Sequence, residues 1–195
     1  MTSQTSQTSQ TSQTSQTSQT SQTSQTSPAP TGRRVDDGGV SYVVLERTFR
    51  APIEDVWAAV TESDRLARWI GSWTGDPSSG AVTFQMLFED EVPAEEFRID
   101  ECEPPHRLRI TTSSPTDGEE PEHWRLRLDL REEDGVTTLT FAQDVPDPQM
   151  AGGVGPGWEY YLDRMVAAET SGDVASVDFD DYYPALSGHY LGLFS

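Results

Sequence analysis

The side chains able to do chemistry are few and badly spaced for it. Metal binding needs three or four converging ligands, usually with one close pair on a strand or helix. His106, His123 and His189 are scattered, Cys102 is the only cysteine, and no His-x-x-x-His pair occurs. No metal site is therefore expected. The Asp178–Asp181 stretch offers carboxylate oxygens but lacks the turn glycine and closing glutamate of a calcium loop, so it reads as a solvated acidic segment. No Gly-x-Ser-x-Gly elbow is present, and the charges of Glu101 and Glu103 beside Cys102 should raise its thiol pKa, leaving it a small filler. The Gly152–Gly157 run invites a phosphate-loop reading, but Pro156 removes a needed N–H and no lysine follows. A flexible hinge ahead of a helix is expected instead, and no cofactor. General acid–base work is harder to dismiss. His123 next to Trp124, with Glu89 or Asp90 at the end of another strand, would give an acid and an imidazole able to enolise a carbonyl compound. Exposed side chains at strand ends are the plainer expectation, and no catalytic residue is assigned.

The aromatic residues say more. Trp69, Trp73, Phe84, Phe88, Trp124, Phe141, Trp158 and Tyr161 fall where the local period points inward, and Met86 and Met165 share those faces. By period alone they are as much core as cavity lining.

Positioning them requires a specific order of elements. Tyr42 to Phe49 alternates, with Val43, Leu45 and Phe49 on one face, and reads as a strand. Pro52 opens a helix with Ile53, Val56, Trp57 and Val60 on one side; a second short helix follows from Ser63 or Asp64 past Leu66, Trp69 and Ile70 to Gly71. Val82, Phe84, Met86 and Phe88 share one strand face. Phe97 and Ile99, then Leu108 and Ile110, then Trp124, Leu126, Leu128 and Leu130, then Leu139 and Phe141 mark four further strands, the last two joined by an Asp134-Gly135 hairpin. Trp158, Tyr161, Leu162 and Met165 lie on one face of a long closing helix. A strand, two short helices, about five antiparallel strands and a long helix describe an α+β domain, a curved sheet of about six strands wrapped on its C-terminal helix.

Composition sets the limits. Residues 1–31 carry no charge and include eight uninterrupted Thr-Ser-Gln copies from Thr2 to Gln25, with nothing to bury. The expected organisation is a disordered tail over 1–39, a domain over 40–172 and an acidic, aromatic extension over 173–195. That extension holds too many large apolar groups, Tyr182, Leu186, Tyr190 and Phe194 among them, to stay solvated, so it should dock. The net charge of −20 repels phosphate backbones and anionic headgroups, which disfavours nucleic acid and membrane surfaces as partners. A monomer or weak homodimer is expected. No stretch has the basic-then-apolar order of a signal peptide, and cytoplasm is the expected compartment.

Phe49, Ala51 and Pro52 with the helix to Val60, then Leu66, Arg68, Trp69 and Ile70, Pro104, Pro105, Arg107 and Leu108, and Gly157, Trp158 and Leu162 together resemble the SRPBCC superfamily. Within it the chain is similar to proteins like the C-terminal domain of the heat-shock-protein-90 ATPase activator, over about residues 42 to 170. The resemblance implies a helix-grip (START-like) fold around an elongated apolar cavity that takes lipids, polyketides, sterols or hormones. It tips the aromatic set, with Met86 and Met165, toward cavity lining. The expected function is binding or transport of a small hydrophobic molecule without catalysis. Two alternatives stay open: a polyketide cyclase or aromatase, and a chaperone-associated or regulatory interaction module.

Overall fold

The computed structural model describes residues 28–89, 92–114 and 122–195. Its elements run β1 (Arg33–Asp37), β2 (Val40–Phe49), α1 (Ile53–Thr61), α2 (Ser63–Leu66), β3 (Gly71–Thr74), β4 (Ala81–Met86), β5 (Glu95–Glu103), β6 (Arg107–Ser114), β7 (Glu122–Glu133), β8 (Val136–Asp144), α3 (Ala151–Glu169) and α4 (Ser187–Leu193). The strands form one antiparallel sheet in the order β1-β2-β8-β7-β6-β5-β4-β3, and α3 lies against β2 and the inward face, the arrangement of a helix-grip fold.

The sheet has eight strands where about six were expected, and the two additional ones are its edges. An edge strand needs no face buried on both sides, so alternation cannot reveal it. β1 is fully exposed and mostly charged, and β3 is four residues long. β1 also corrects the boundary drawn at residue 40: Arg33 to Asp37 pair with Val40 to Val44 and belong to the sheet. The Thr-Ser-Gln repeats themselves lie outside the described residues.

The second short helix ends at Leu66, sooner than the sequence suggests. Ser63 does not cap it. Its hydroxyl donates to the Trp73 carbonyl at 2.7 Å and accepts from the Trp73 N–H at 2.8 Å, stitching α2 to β3. Between β7 and β8, Asp134 (φ 52) and Gly135 (φ 75) both adopt the left-handed conformation a tight hairpin requires, as their sequence signals.

In β5 the register shifts between Ile99 and Glu101. Ile99 faces Ile110 and Cys102 faces Leu108, so Asp100 and Glu101 both fall on the outer face. Such a bulge bends a strand and strengthens its twist.

The hinge expected at Gly152–Gly157 is instead the first turns of α3. The glycines serve packing there. A β-carbon on Gly155 would overlap the Tyr190 ring, and one on Gly152 would meet Leu191 Cγ at 3.0 Å. Two bare positions on one helix face thus form a trough for α4. Tyr190 and Phe194 in and after α4, and Tyr182 and Leu186 before it, are all buried.

A polar cluster ties these parts together. Arg47 occupies an inward position of β2 between Leu45 and Phe49, 2.7 Å from the buried Glu159 and 2.8 Å from Asp163 of α3. Glu159 also accepts from the Tyr190 hydroxyl (2.5 Å), the Thr31 hydroxyl (2.9 Å) and the Gly32 N–H (3.1 Å). Among the described residues no helix is long and apolar enough to cross a membrane.

Candidate functional site

The C-terminal carbonyls of a helix lack partners within it. In α1 the Ala59 carbonyl accepts from Trp69 Nε1 at 3.1 Å and the Thr61 carbonyl from Trp73 Nε1 at 2.9 Å. Both indoles therefore spend their polar atoms on protein, and both rings line a void between the sheet and α3.

That void is divided into two compartments with wall residues in common. The smaller, about 200 Å³, is walled by Trp69, Trp73, Ile99, Leu108, Leu139 and Phe141 and is almost wholly apolar. The larger, about 550 Å³, is bordered by Met86, Thr112, Trp124, Gln143, Val154 and Tyr161. Ile70, Phe84, Phe97, Leu126 and Trp158 belong to both. From the sheet, Phe84 and Phe97 stack at 4.5 Å; from α3, the Trp158 ring lies 3.9 Å from Phe141 and its Nε1 donates to Gln143 Oε1. The waist of the cleft is thus held from both sides.

Of the residues expected to line a cavity, Trp69, Trp73, Phe84, Met86, Trp124, Phe141, Trp158 and Tyr161 are brought together on this wall. Phe88 and Met165 are not. β4 ends at Met86, so alternation no longer governs Phe88, which is 42% exposed and carries the Arg164 guanidinium 3.9 Å over its ring. Met165 is fully buried one turn beyond Tyr161 and fills the core.

The polar groups differ from the expected acid–imidazole pair. Glu89 accepts from the Tyr161 hydroxyl at 2.6 Å. His123 is exposed and off the wall, its Nδ1 3.2 Å from the Thr112 carbonyl, and Asp90 lies outside the described residues. Burial, then the hydrogen bond to Glu89 and its charge, push the Tyr161 phenol far above its ordinary value, so it remains a proton donor at neutral pH. Thr112 is 4% exposed, yet its hydroxyl has no hydrogen-bond partner among the described residues.

Cys102 sits at the edge of the smaller compartment and is exposed, so it is not the buried filler expected. Its thiol is raised by desolvation, not by the neighbouring glutamates. Among the described residues no group of three or more His, Cys, Asp or Glu could hold a metal ion. In the acidic segment, Asp178 Oδ1 accepts from the Asp180 N–H at 3.1 Å and caps a short 3-10 turn.

Sequence reasoning missed the Arg47–Glu159–Asp163 cluster. The signal was present, because Arg47 follows the inward series of Val43 and Leu45 with Phe49 beyond it.

A family model described as Activator of Hsp90 ATPase homolog 1-like protein matches residues 50–169. Among solved structures, the crystal structure of CalU16 from Micromonospora echinospora is 25% identical with a TM-score of 0.60, covering 85% of this chain and 96% of that one. DynU16, from the dynemicin biosynthetic locus, is 24% identical with a TM-score of 0.57 over 68% of this chain and 49% of its own. A conserved protein of unknown function from Enterococcus faecalis shares the fold at 19% identity and a TM-score of 0.58, over 83% of this chain and 88% of its own. No curated protein matches the chain in sequence.

Proposed function

Since the chain belongs to the Activator of Hsp90 ATPase homolog 1-like family of SRPBCC proteins, we propose that it binds a small hydrophobic molecule, lipid- or polyketide-like, in the cleft between sheet and α3. It would hold or carry that molecule without chemistry. The observation that supports this most is the state of the indoles: Trp69, Trp73 and Trp158 each direct N–H to a protein acceptor while their rings border empty space. A void of about 550 Å³ falls within the few hundred to about 1,000 Å³ typical of ligand sites.

The test has two arms. Native mass spectrometry of protein purified from its own host should show a co-purifying apolar molecule. Titration with fatty acids, aromatic polyketides and sterols should change tryptophan emission saturably for at least one class. Failure of every class in both arms would sink the carrier reading.

One observation favours a cyclase-type enzyme as the second reading. Tyr161 and Glu89 form a hydrogen-bonded pair on the wall of the larger compartment, and a phenol kept protonated can turn its single proton from Glu89 to a ligand carbonyl oxygen as that oxygen gains negative charge. On that reading Tyr161→Phe would abolish turnover of a bound polyketide while leaving its affinity within a few-fold.

A further inference from the structure

We propose that the side-chain amide of Gln143 is the polar contact of the cleft, its Nε2 donating to a carbonyl oxygen of an otherwise apolar, uncharged molecule. This rests on the cleft being a ligand site.

Gln143 stands on β8 between Val43 of β2 and Leu126 of β7, in the inward row that also holds Leu139 and Phe141. It is 5% exposed and borders the larger compartment. Trp158 settles which way the amide points. An indole N–H can only donate, so the atom facing Trp158 Nε1 is the oxygen, and the N–H2 group is turned away from it. That nitrogen has no hydrogen-bond partner among the described residues, and it is not walled off from the compartment as the Thr112 hydroxyl is. Holding the indole needs only the oxygen, and a buried donor left unpaired is unfavourable. Other polar groups on the wall are less suited to a ligand. The Tyr161 phenol has one proton, which goes to Glu89, and Trp124 is only half-buried, where water reaches it. The acceptor should be neutral. Glu89 and Glu95 border the compartment and no Arg, Lys or His does among the described residues, so a carboxylate or phosphate would meet like charge. A carbonyl suits an N–H2 group better than a hydroxyl does, since it brings no proton of its own to be satisfied on an apolar wall.

The probe is 6-propionyl-2-(dimethylamino)naphthalene with an isotope-labelled carbonyl, whose stretching frequency falls when the oxygen accepts a hydrogen bond. The control is 2-(dimethylamino)naphthalene, the same rings without the carbonyl. Emission titrations give the affinities and difference infrared spectra the carbonyl frequency, for full-length wild type, Gln143→Met, Tyr161→Phe and Trp124→Phe. Methionine keeps the length of glutamine and a weak acceptor for Trp158 while removing the donor. Both compounds should bind wild type saturably, with the bound carbonyl below its frequency in dry hydrocarbon solvent. Gln143→Met should weaken the ketone about two- to tenfold, the range of one neutral hydrogen bond, and raise its carbonyl frequency, while the control changes by less than about twofold. Tyr161→Phe and Trp124→Phe, which remove the rival donors, should leave the frequency low. If neither compound binds wild type, the cleft reading fails and this inference with it. If the control alone binds, the cleft stands and the assignment of Gln143 is overturned. The same follows if the bound carbonyl keeps its hydrocarbon frequency in wild type, if Gln143→Met leaves the lowered frequency unchanged, or if it weakens both compounds equally, which would mean that the amide only holds Trp158. Should Gln143→Met not fold, the phenylalanine variants decide: a low frequency kept in both supports Gln143, and a shift lost in either overturns it.

Discussion

The ring of Tyr190 lies over Gly155, in the space that a side chain at that position would occupy. Gly153, on the exposed side of the same helix, has nothing within 4 Å of an added β-carbon. The same substitution should therefore have opposite effects two residues apart. Gly153→Ala should stabilise the protein by up to about 1 kcal/mol through helix propensity. Gly155→Ala gains the same propensity but forces Tyr190 and α4 to move, and should cost about 1–3 kcal/mol net. Chemical unfolding of the two variants checks this, and equal effects would show that α4 does not need the trough.

Stability should fall at both ends of the pH scale through the cluster under α4. Burial opposes ionisation of Glu159, but hydrogen bonds from Tyr190, the Thr31 N–H and Arg47 outweigh it and hold the carboxyl below its ordinary value of 4.5. A depressed folded-state pKa contributes stability that is complete above that value and lost as pH falls through the folded one. The Tyr190 phenol is raised, first by burial and then by Glu159, above its ordinary value of 10.0. Its contribution is complete below pH 10.0 and lost as pH rises beyond it. Urea midpoints across this range should show a plateau with two falling limbs. Glu159→Gln should lower the plateau by about 2–4 kcal/mol, since Arg47 keeps Asp163, and make the acid limb shallower.

Two methionines offer a paired test of where the void lies. Met165 is fully enclosed, so Met165→Ala should fall in the upper part of the ~2–5 kcal/mol range for core truncation. Met86 borders the larger compartment, where packing is already incomplete. Met86→Ala should cost about 2 kcal/mol or less and shift preference toward bulkier ligands in emission titrations, whereas a cost matching that of Met165→Ala would mean that the side chain is packed.

The N-terminal boundary can be located by trimming. The composition of residues 1–27 gives them nothing to bury, so their removal should leave the melting temperature within about one degree. Extending the cut through Gly32 removes the Thr31 and Gly32 donors to Glu159 and should lower it by several degrees. Equal melting temperatures would show that β2 and α3 hold Glu159 without this segment.

What could be read in the sequence followed how each signal arises. The six inner strands alternate because one face is buried, and α3 carries its apolar residues on one stripe, so the sheet and its helix were legible. β1 and β3 were not, because an edge can be wholly exposed or only four residues long. Most of the cleft wall was legible for the same reason as the core, since both are simply inward-facing. Distinguishing the two required distances, and Phe88 and Met165 went astray where a strand stopped early and where a helix face turned from cavity to core. Arg47 and Glu159 were overlooked because charge in a sequence reads as surface until the partner is seen. Tyr161 was placed on the wall, but its pairing with Glu89 depends on a contact 72 positions apart.

The bulge at Asp100 sets which side chains of β5 reach the cleft. Up to Ile99 the odd-numbered positions of β5 look inward, and from Cys102 the even-numbered ones do. One unpaired residue thus works as a phase shift that lets a single strand furnish Phe97, Ile99 and Cys102 to the same wall. Deleting Asp100 would restore strict alternation with Ile99 and Cys102 still on the inner face and Glu101 and Glu103 still on the outer one, so the wall would keep its residues and lose the bend and added twist of the bulge. Relatives whose β5 differs by one residue at this point should therefore differ in the curvature of this wall, even where every wall residue is the same.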